Sequence, residues 1–176
     1  MNILVINYEY PPIGGGGGFV TRDILEYIAG AGHDVTIVTS GFYGLKQRED
    51  VNGVHVIRVP VLGRKKVEVA SMLSMLSYFP YSILTTILEA QPRKFDIINT
   101  HFAIPSGPSG YVLSKILKIP NVLSIHGGDI YDPSKSLSPH KTPVLYDVVR
   151  AMLKTADRVV AQSTDTRKRA LTCYAC

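Results

Sequence analysis

The sequence predicts an α/β domain built on a doubly wound parallel sheet. Three observations predict it. Short apolar runs without polar alternation recur along the chain, as strands covered on both faces require. Stretches with apolar residues at helical spacing fall between them. The 176 residues, 45% of them apolar, suffice for one sizeable core.

The elements follow in order. "ILVIN" (3–7) is the first strand. A helix follows the glycine run, with Val20, Ile24, Tyr27, Ile28 and Ala31 on its apolar face and Gly32 closing it. "DVTIVTS" (34–40) and "VHVIRVP" (54–60) are strands joined by a loop. A helical region covers 67–90 and is broken near Pro80. "FDIINTH" (95–101) is a strand, and 105–118 is a helix with Val112, Ile116 and Leu117 inward. "NVLSIHG" (121–127), a helix at 142–156 and "DRVVAQS" (157–163) complete the alternation, and Ser163 caps a last helix. Ligands of such sheets bind at the carboxyl ends of the strands, near the point where strand order reverses. That rule selects the loops 8–18, 101–110 and 126–140.

The first of these loops holds Gly14 to Gly18. A flexible linker would separate a core strand from the helix that packs on it, so a ligand-facing loop is the better reading. Bare backbone admits close approach, leaves amides for an anion, and feeds into a positive helix N-terminus. Phe19-Val20 after the glycines excludes a P-loop. The second strand ends Thr39-Ser40-Gly41 with no carboxylate for a ribose, which disfavours a dinucleotide site.

His101 and His126 end neighbouring strands on the same edge, and "HGGD" puts Asp129 in the same tight loop. A single histidine is most often structural; two beside a glycine loop mark a candidate site. His101, His126 and Asp129 lack the spacing of a metal site, so no metal is expected. No Asp-x-Asp pair and no Gly-x-Ser-x-Gly turn is present.

The net charge of +5 is spread in short clusters, chiefly Arg64-Lys65-Lys66 and Arg167-Lys168-Arg169, and no nucleic-acid partner is expected. The apolar stretch 69–88 is interrupted by serines, threonines and Pro80, which argues against a membrane span. Segment 63–90 couples a basic head to apolar residues. It is a candidate membrane-surface contact, with a core helix pair beside a basic loop as the competing reading. "MNILVINYEY" is no signal peptide, and Cys173 and Cys176 read as ordinary thiols of a reducing cytoplasm.

"YPPIGGGGG…AGAGHDVTIVTS", "FDIINTHFAIPSGPSGYVLSKILKIPNVLSIHGGDIYD" and "ADRVVAQSTDTRKR" together resemble the N-terminal half of GT-B glycosyltransferases of the retaining, glycogen-synthase-like group. The resemblance implies that residues 1–176 form the Rossmann-like, acceptor-side domain. It also implies that a donor-binding C-terminal domain, with its Glu-x7-Glu motif, is absent. The intact enzyme would transfer a hexosyl group from a nucleotide-sugar donor to a saccharide or lipid-linked acceptor in polysaccharide or glycolipid synthesis. It would work without a cofactor, and the fragment alone would be inactive. By position, Gly15, Gly16 and the adjoining Gly17 bind substrate, His101 lines the acceptor cleft, and His126 and Asp129 are catalytic. His126 would hydrogen-bond the sugar or help neutralise developing charge, and Asp129 would position His126 or a sugar hydroxyl. Location is expected in the cytoplasm, with peripheral contact at the inner face of the membrane. A GT-B-like sugar-nucleotide epimerase and a non-catalytic flavodoxin-like domain are the alternatives.

Overall fold

A computed structural model describes residues 1–90, 94–134 and 138–175. Seven strands form one sheet: β1 (Asn2–Ile6), β2 (Asp34–Ser40), β3 (Arg48–Val51), β4 (Val54–Val59), β5 (Ile97–His101), β6 (Asn121–Ile125) and β7 (Arg158–Ala161). Their spatial order is β3-β4-β2-β1-β5-β6-β7. Every neighbouring pair is parallel except β3 with β4. The chain winds outward from β1 to β4, returns to β5, and winds the other way to β7. The switch point therefore lies between β1 and β5, and the doubly wound prediction holds.

The helices are α1 (Gly16–Gly30), α2 (Met72–Thr85), α3 (Gly107–Leu117), α4 (Pro143–Thr155) and α5 (Thr164–Tyr174). A π-turn at Thr86–Ala90 continues α2. Alternation along β1 sends Leu4 and Ile6 into the core under α2 and α3, with Tyr78 and Leu113. Val5 enters the opposite core with Leu25 of α1. Leu123 and Ile125 of β6 pack with Val149, Leu153, Ala170 and Tyr174 of α4 and α5.

Three expectations need correction. The antiparallel edge strand β3 was read as loop, because Arg48, Glu49 and Asp50 are charged. Asn52 and Gly53 both take positive φ, the two-residue hairpin turn that joins it to β4. Pro80 does not break the helix; α2 runs through it. Pro80 and Leu76 both stand on the solvent face, where water can satisfy the carbonyl that loses its amide partner. The helix after the glycines begins at Gly16, so three of the five glycines belong to its first turn.

The inward faces are partly as expected, since Ile24, Ile28 and Leu117 pack half-buried against the core, but their most buried positions differ. In α1 the buried residues are Gly18, Thr21 and Leu25, while Val20 and Tyr27 are exposed. In α3 Leu113 is buried among Gly107, Ser109, Gly110 and Ser114, while Ile116 is exposed. Small residues take the inner positions because the helices lie close. A Cβ on Gly110 would overlap Thr100 on β5. Ser82 of α2 donates to Ser109 of α3 at 2.8 Å.

Among the described residues no helix is long and apolar enough to cross a membrane. Cys173 is a free thiol, and Cys176 lies outside the described residues.

Candidate functional site

Three loops meet at the switch point, after β1, β5 and β6. They are tied to one another. The Tyr8 amide donates to Ser106 Oγ at 2.9 Å, linking the first two. The Ala103 amide donates to Asp129 Oδ2 at 2.7 Å, linking the second to the third.

The glycine run divides by reason. Gly14 takes φ +94, and a side chain there would collide with Glu9. A Cβ on Gly17 would overlap the Phe102 ring, and one on Gly18 would crowd the Ile13 carbonyl at 3.2 Å. These three are small because the protein is in the way. Gly15 and Gly16 meet nothing within 4 Å, and both are exposed. Gly15 is the N-cap of α1.

The amides divide too. Gly14 N–H donates to Val67 O and Gly15 N–H to Glu9 Oε2, at 3.1 and 3.2 Å. Gly18 N–H returns to Gly15 O at 3.0 Å. Among the described residues no hydrogen bond occupies the amides of Gly16 and Gly17. These are the first two of the helix, where no intrahelical carbonyl is in reach. An anion would find two free amides at the positive end of a 15-residue helix.

His101 is fully buried at the end of β5, and His126 lies just past the end of β6, partly buried. Their ring nitrogens, His101 Nδ1 and His126 Nε2, are 3.0 Å apart. The hydrogens can be assigned from the surroundings. Asn99 Nδ2 donates to Val122 O and Ser124 Oγ, both at 3.1 Å, which turns its Oδ1 toward His101 Nε2 at 2.8 Å. His101 therefore donates from Nε2 and accepts at Nδ1. Thr21 Oγ1 also lies 3.0 Å from that Nδ1. The Thr21 proton goes to Gly17 O, at 2.8 Å, and its lone pair receives Asn7 Nδ2 at 2.9 Å. The proton on the histidine pair then sits on His126 Nε2 and points inward. His126 Nδ1, which takes no partner among the described residues, is left as an acceptor.

Burial and the neighbouring His126 push His101 down to about 3, and burial pushes His126 down to about 4. Both rings are neutral at physiological pH. Phe102 stacks on the His126 ring, centroids 4.3 Å apart, with its own backbone at φ +71. That left-handed conformation is unusual for a bulky residue and sits at the mouth of the cleft.

Asp129 behaves differently from the expectation. Its Oδ1 accepts from the amides of His126 and Gly127 at 3.0 and 2.9 Å, and its Oδ2 from Ala103. Both oxygens serve backbone; neither reaches the imidazole. Burial pushes the carboxyl above its usual value, while these amides pull the other way. Asp129 fixes where the His126 loop stands, and leaves the direction of the ring to His101.

The structure thus brings Gly15, Gly16, Gly17, His101 and His126 to one edge, with Asp129 behind them. Three partners were missed. Asn99 stands two residues before His101 on the same strand face, a period-two signal; Thr21 and Asn7 carry no signal that a single segment could show. Among the described residues no group of three or more His, Cys, Asp or Glu side chains is placed to hold a metal ion.

With that geometry in hand, likeness to known proteins is informative. A family profile described as "Glycosyl transferase 4-like domain" matches residues 15–174. An uncharacterized glycosyltransferase of Methanocaldococcus jannaschii is 29% identical over 136 residues, 74% of this chain and 32% of that protein. N-acetyl-alpha-D-glucosaminyl L-malate synthase of Bacillus anthracis is 29% identical over 159 residues, 88% of this chain and 37% of that protein. The chain spans about a third of the length of these curated relatives. Among solved structures, sucrose-phosphate synthase from Thermosynechococcus elongatus superposes with a TM-score of 0.77 at 18% identity, covering 98% of this chain and 44% of that one. WaaG, a glycosyltransferase involved in lipopolysaccharide biosynthesis, gives 0.57 at 15% identity, covering 98% and 42%. At such identities the superpositions show the fold, which is the GT-B half-molecule. The epimerase and flavodoxin-like alternatives gain no support from these likenesses.

Proposed function

This chain belongs to the glycosyl transferase 4-like family, and from that membership and its cleft we propose that it forms one wall of a glycosyltransferase active site. The donor is a nucleotide diphosphate sugar, the acceptor a saccharide or lipid-linked sugar, and the transferred group a hexosyl unit passed with retention. The single observation that carries this reading is the division of the glycines. Gly15 and Gly16 have no internal reason to lack a side chain, and they lie beside the two unoccupied amides of the helix N-terminus.

The chemistry follows from those groups. As the glycosidic bond to the leaving diphosphate breaks, negative charge grows on phosphate oxygens. The amides of Gly16 and Gly17 and the α1 dipole are already oriented toward such charge, so they stabilise it without rearrangement. His126 accepts a hydrogen bond from a sugar hydroxyl through Nδ1, and its neutral ring does not neutralise charge itself. His101 is a positioning residue that holds the His126 tautomer. Asp129 positions the loop. The relatives are much longer than this chain, and in this reading the donor's remaining contacts need a second domain, so residues 1–176 alone are expected to transfer no sugar. No metal or organic cofactor enters this scheme.

The test is turnover by the full-length enzyme across a panel of nucleotide sugars, with His126→Ala compared against wild type. The expected result is a fall in kcat of roughly a hundredfold or more, the usual scale for a positioned polar group. The melting temperature should move by only a few degrees. Near-normal turnover would reject the role of His126. Failure of the wild-type enzyme to use any nucleotide sugar would reject the reading as a whole.

A further inference from the structure

Helix α2 is apolar outside as well as in: Met75, Tyr81 and Ile83 pack half-buried against the core, yet its outer side is apolar too. Its inward side carries Ser74, Ser77, Tyr78 and Ser82, all buried. Their polar atoms are satisfied at short range: Tyr8 Oη lies 2.6 Å from Ser74 Oγ, Tyr78 donates to Val38 O at 2.8 Å, and Ser82 reaches Ser109. Its outward side carries Met72, Leu73, Leu76, Phe79 and Leu84, all exposed, with Leu76 at 65%. These positions recur at helical spacing and make one stripe, extended by Val69 before it and Leu88 after it. No charged residue interrupts 69–88. An ordinary surface helix carries polar residues on its outer side. The packing needs small hydroxyl residues for close approach to α3, which explains the inner face but leaves the outer one without a cause.

We propose that this outer face docks on the surface of an anionic lipid bilayer. The argument for that occupant is charge as well as apolarity. Lys65 and Lys66 are both exposed immediately before the stripe, and Glu68 is the sole carboxylate between residues 63 and 88. Arg64 takes no part, since its guanidinium lies 4.7 Å over the Tyr8 ring and donates to Val67 O. An apolar helical stripe beside exposed lysines is what an interfacial helix presents to acyl chains and acidic headgroups. The helix has 14 residues and does not qualify as a span, so it lies along the surface. The basic loop lies against the glycine loop, where Gly14 N–H donates to Val67 O, so docking would bring the carboxyl edge of the sheet toward a substrate that is itself held in the membrane. This surface goes beyond the catalytic reading and does not depend on it.

Flotation of the full chain with vesicles tests the proposal without any activity readout. At low salt the protein should rise with vesicles containing about one third phosphatidylglycerol and stay behind with pure phosphatidylcholine. Salt at about 0.5 M should weaken binding strongly. Leu73→Asp/Leu76→Asp should lower partitioning at least tenfold. Lys65→Glu/Lys66→Glu should abolish the preference for anionic vesicles with the helix untouched. Tyr27→Asp, an equally exposed change on α1, should have no effect. Circular dichroism confirms that each variant is folded. No binding to anionic vesicles at low salt overturns the proposal. So does unchanged binding in both multiple variants. A concentration-dependent dimer that the Leu73/Leu76 change abolishes, with no vesicle binding, overturns it in favour of a second copy as the occupant.

Discussion

The switch-point cleft and the outer face of α2 break the usual distribution of polarity in opposite directions. In the cleft Asn7, Thr21, His101 and Asp129 are buried: Asn7 donates to Thr21, His101 is held between Asn99 and His126, and Asp129 accepts from backbone amides. On α2 large apolar side chains stand in water. The first inversion is compensated inside the molecule. A buried polar group whose every partner is supplied becomes rigid and directional, which suits the sugar-orienting role proposed for this site. The exposed apolar face has no covering partner among the described residues, and its reason is sought outside them. One region gains precision from burial, and the other advertises a surface.

The comparison can be broken most sharply at Asp129. Asp129→Ala removes the acceptor for three amides and should destabilise the fold by about 2–4 kcal/mol in urea denaturation. Asp129→Asn keeps one acceptor oxygen and should lose less. A Tm within a degree of wild type for the alanine variant would show that the cleft is not internally tied.

Acid tests the same region next. His101 is held neutral in the folded state, down to about 3, and His126 to about 4. The unfolded chain takes up protons on both below about pH 6.5 while the folded chain does not. Stability contributed by this burial is complete above pH 6.5 and is lost as pH falls toward the folded values. Each unit of that fall should cost up to about 1.4 kcal/mol for His101, with a smaller share from the more exposed His126. A stability profile flat from pH 7 to 4.5 would contradict the assignment of two neutral rings.

The two faces of α2 supply a finer contrast. Ser82→Ala removes the bond to Ser109 and should destabilise by about 1 kcal/mol. Leu76→Asp, a far larger chemical change, should stay within about 0.5 kcal/mol because the side chain already stands in water. Equal losses would mean that the outer face is packed after all. The smallest effect is expected at Gly16. Gly16→Ala should stabilise by about 0.4–1 kcal/mol by restricting the unfolded chain. It should also weaken nucleotide diphosphate binding, measured by calorimetry on the full-length enzyme.

Most of the sheet was legible because β1, β2, β5 and β6 are apolar runs, and burial on both faces leaves such runs no alternative. The hairpin strand β3 was not, although Asn52-Gly53 announced its turn; charged residues on an edge strand mask the periodicity. Helix phase was only partly legible in α1 and α3: Ile24, Ile28 and Leu117 do pack on the core, but Val20, Tyr27 and Ile116 do not, and threonine, serine and glycine share the inner face where the layers lie close. In the site, the two histidines were legible as strand ends. Of their hydrogen bonds only that of Asn99, two residues before His101 on β5, carried a signal; Thr21 and Asn7 come from other elements that only the fold brings together. Asp129 was placed in the right loop, and it does hold His126, but through the backbone amide and not the imidazole, since sequence proximity says nothing about which way a carboxylate turns.

The open space beside Gly15 and Gly16 has a consequence for how such a sequence drifts. A survey of variants scored for cellular abundance would find these positions permissive, even improvable, whereas Gly14 and Gly17 would look indispensable. A consensus-guided stabilisation would reach for an alanine at 16 first. On the function proposed above, selection on the working protein faces the opposite gradient there, because a methyl group would fill the path of an incoming phosphate. The two glycines mark a spot where fitness and foldedness can be separated experimentally, one residue at a time.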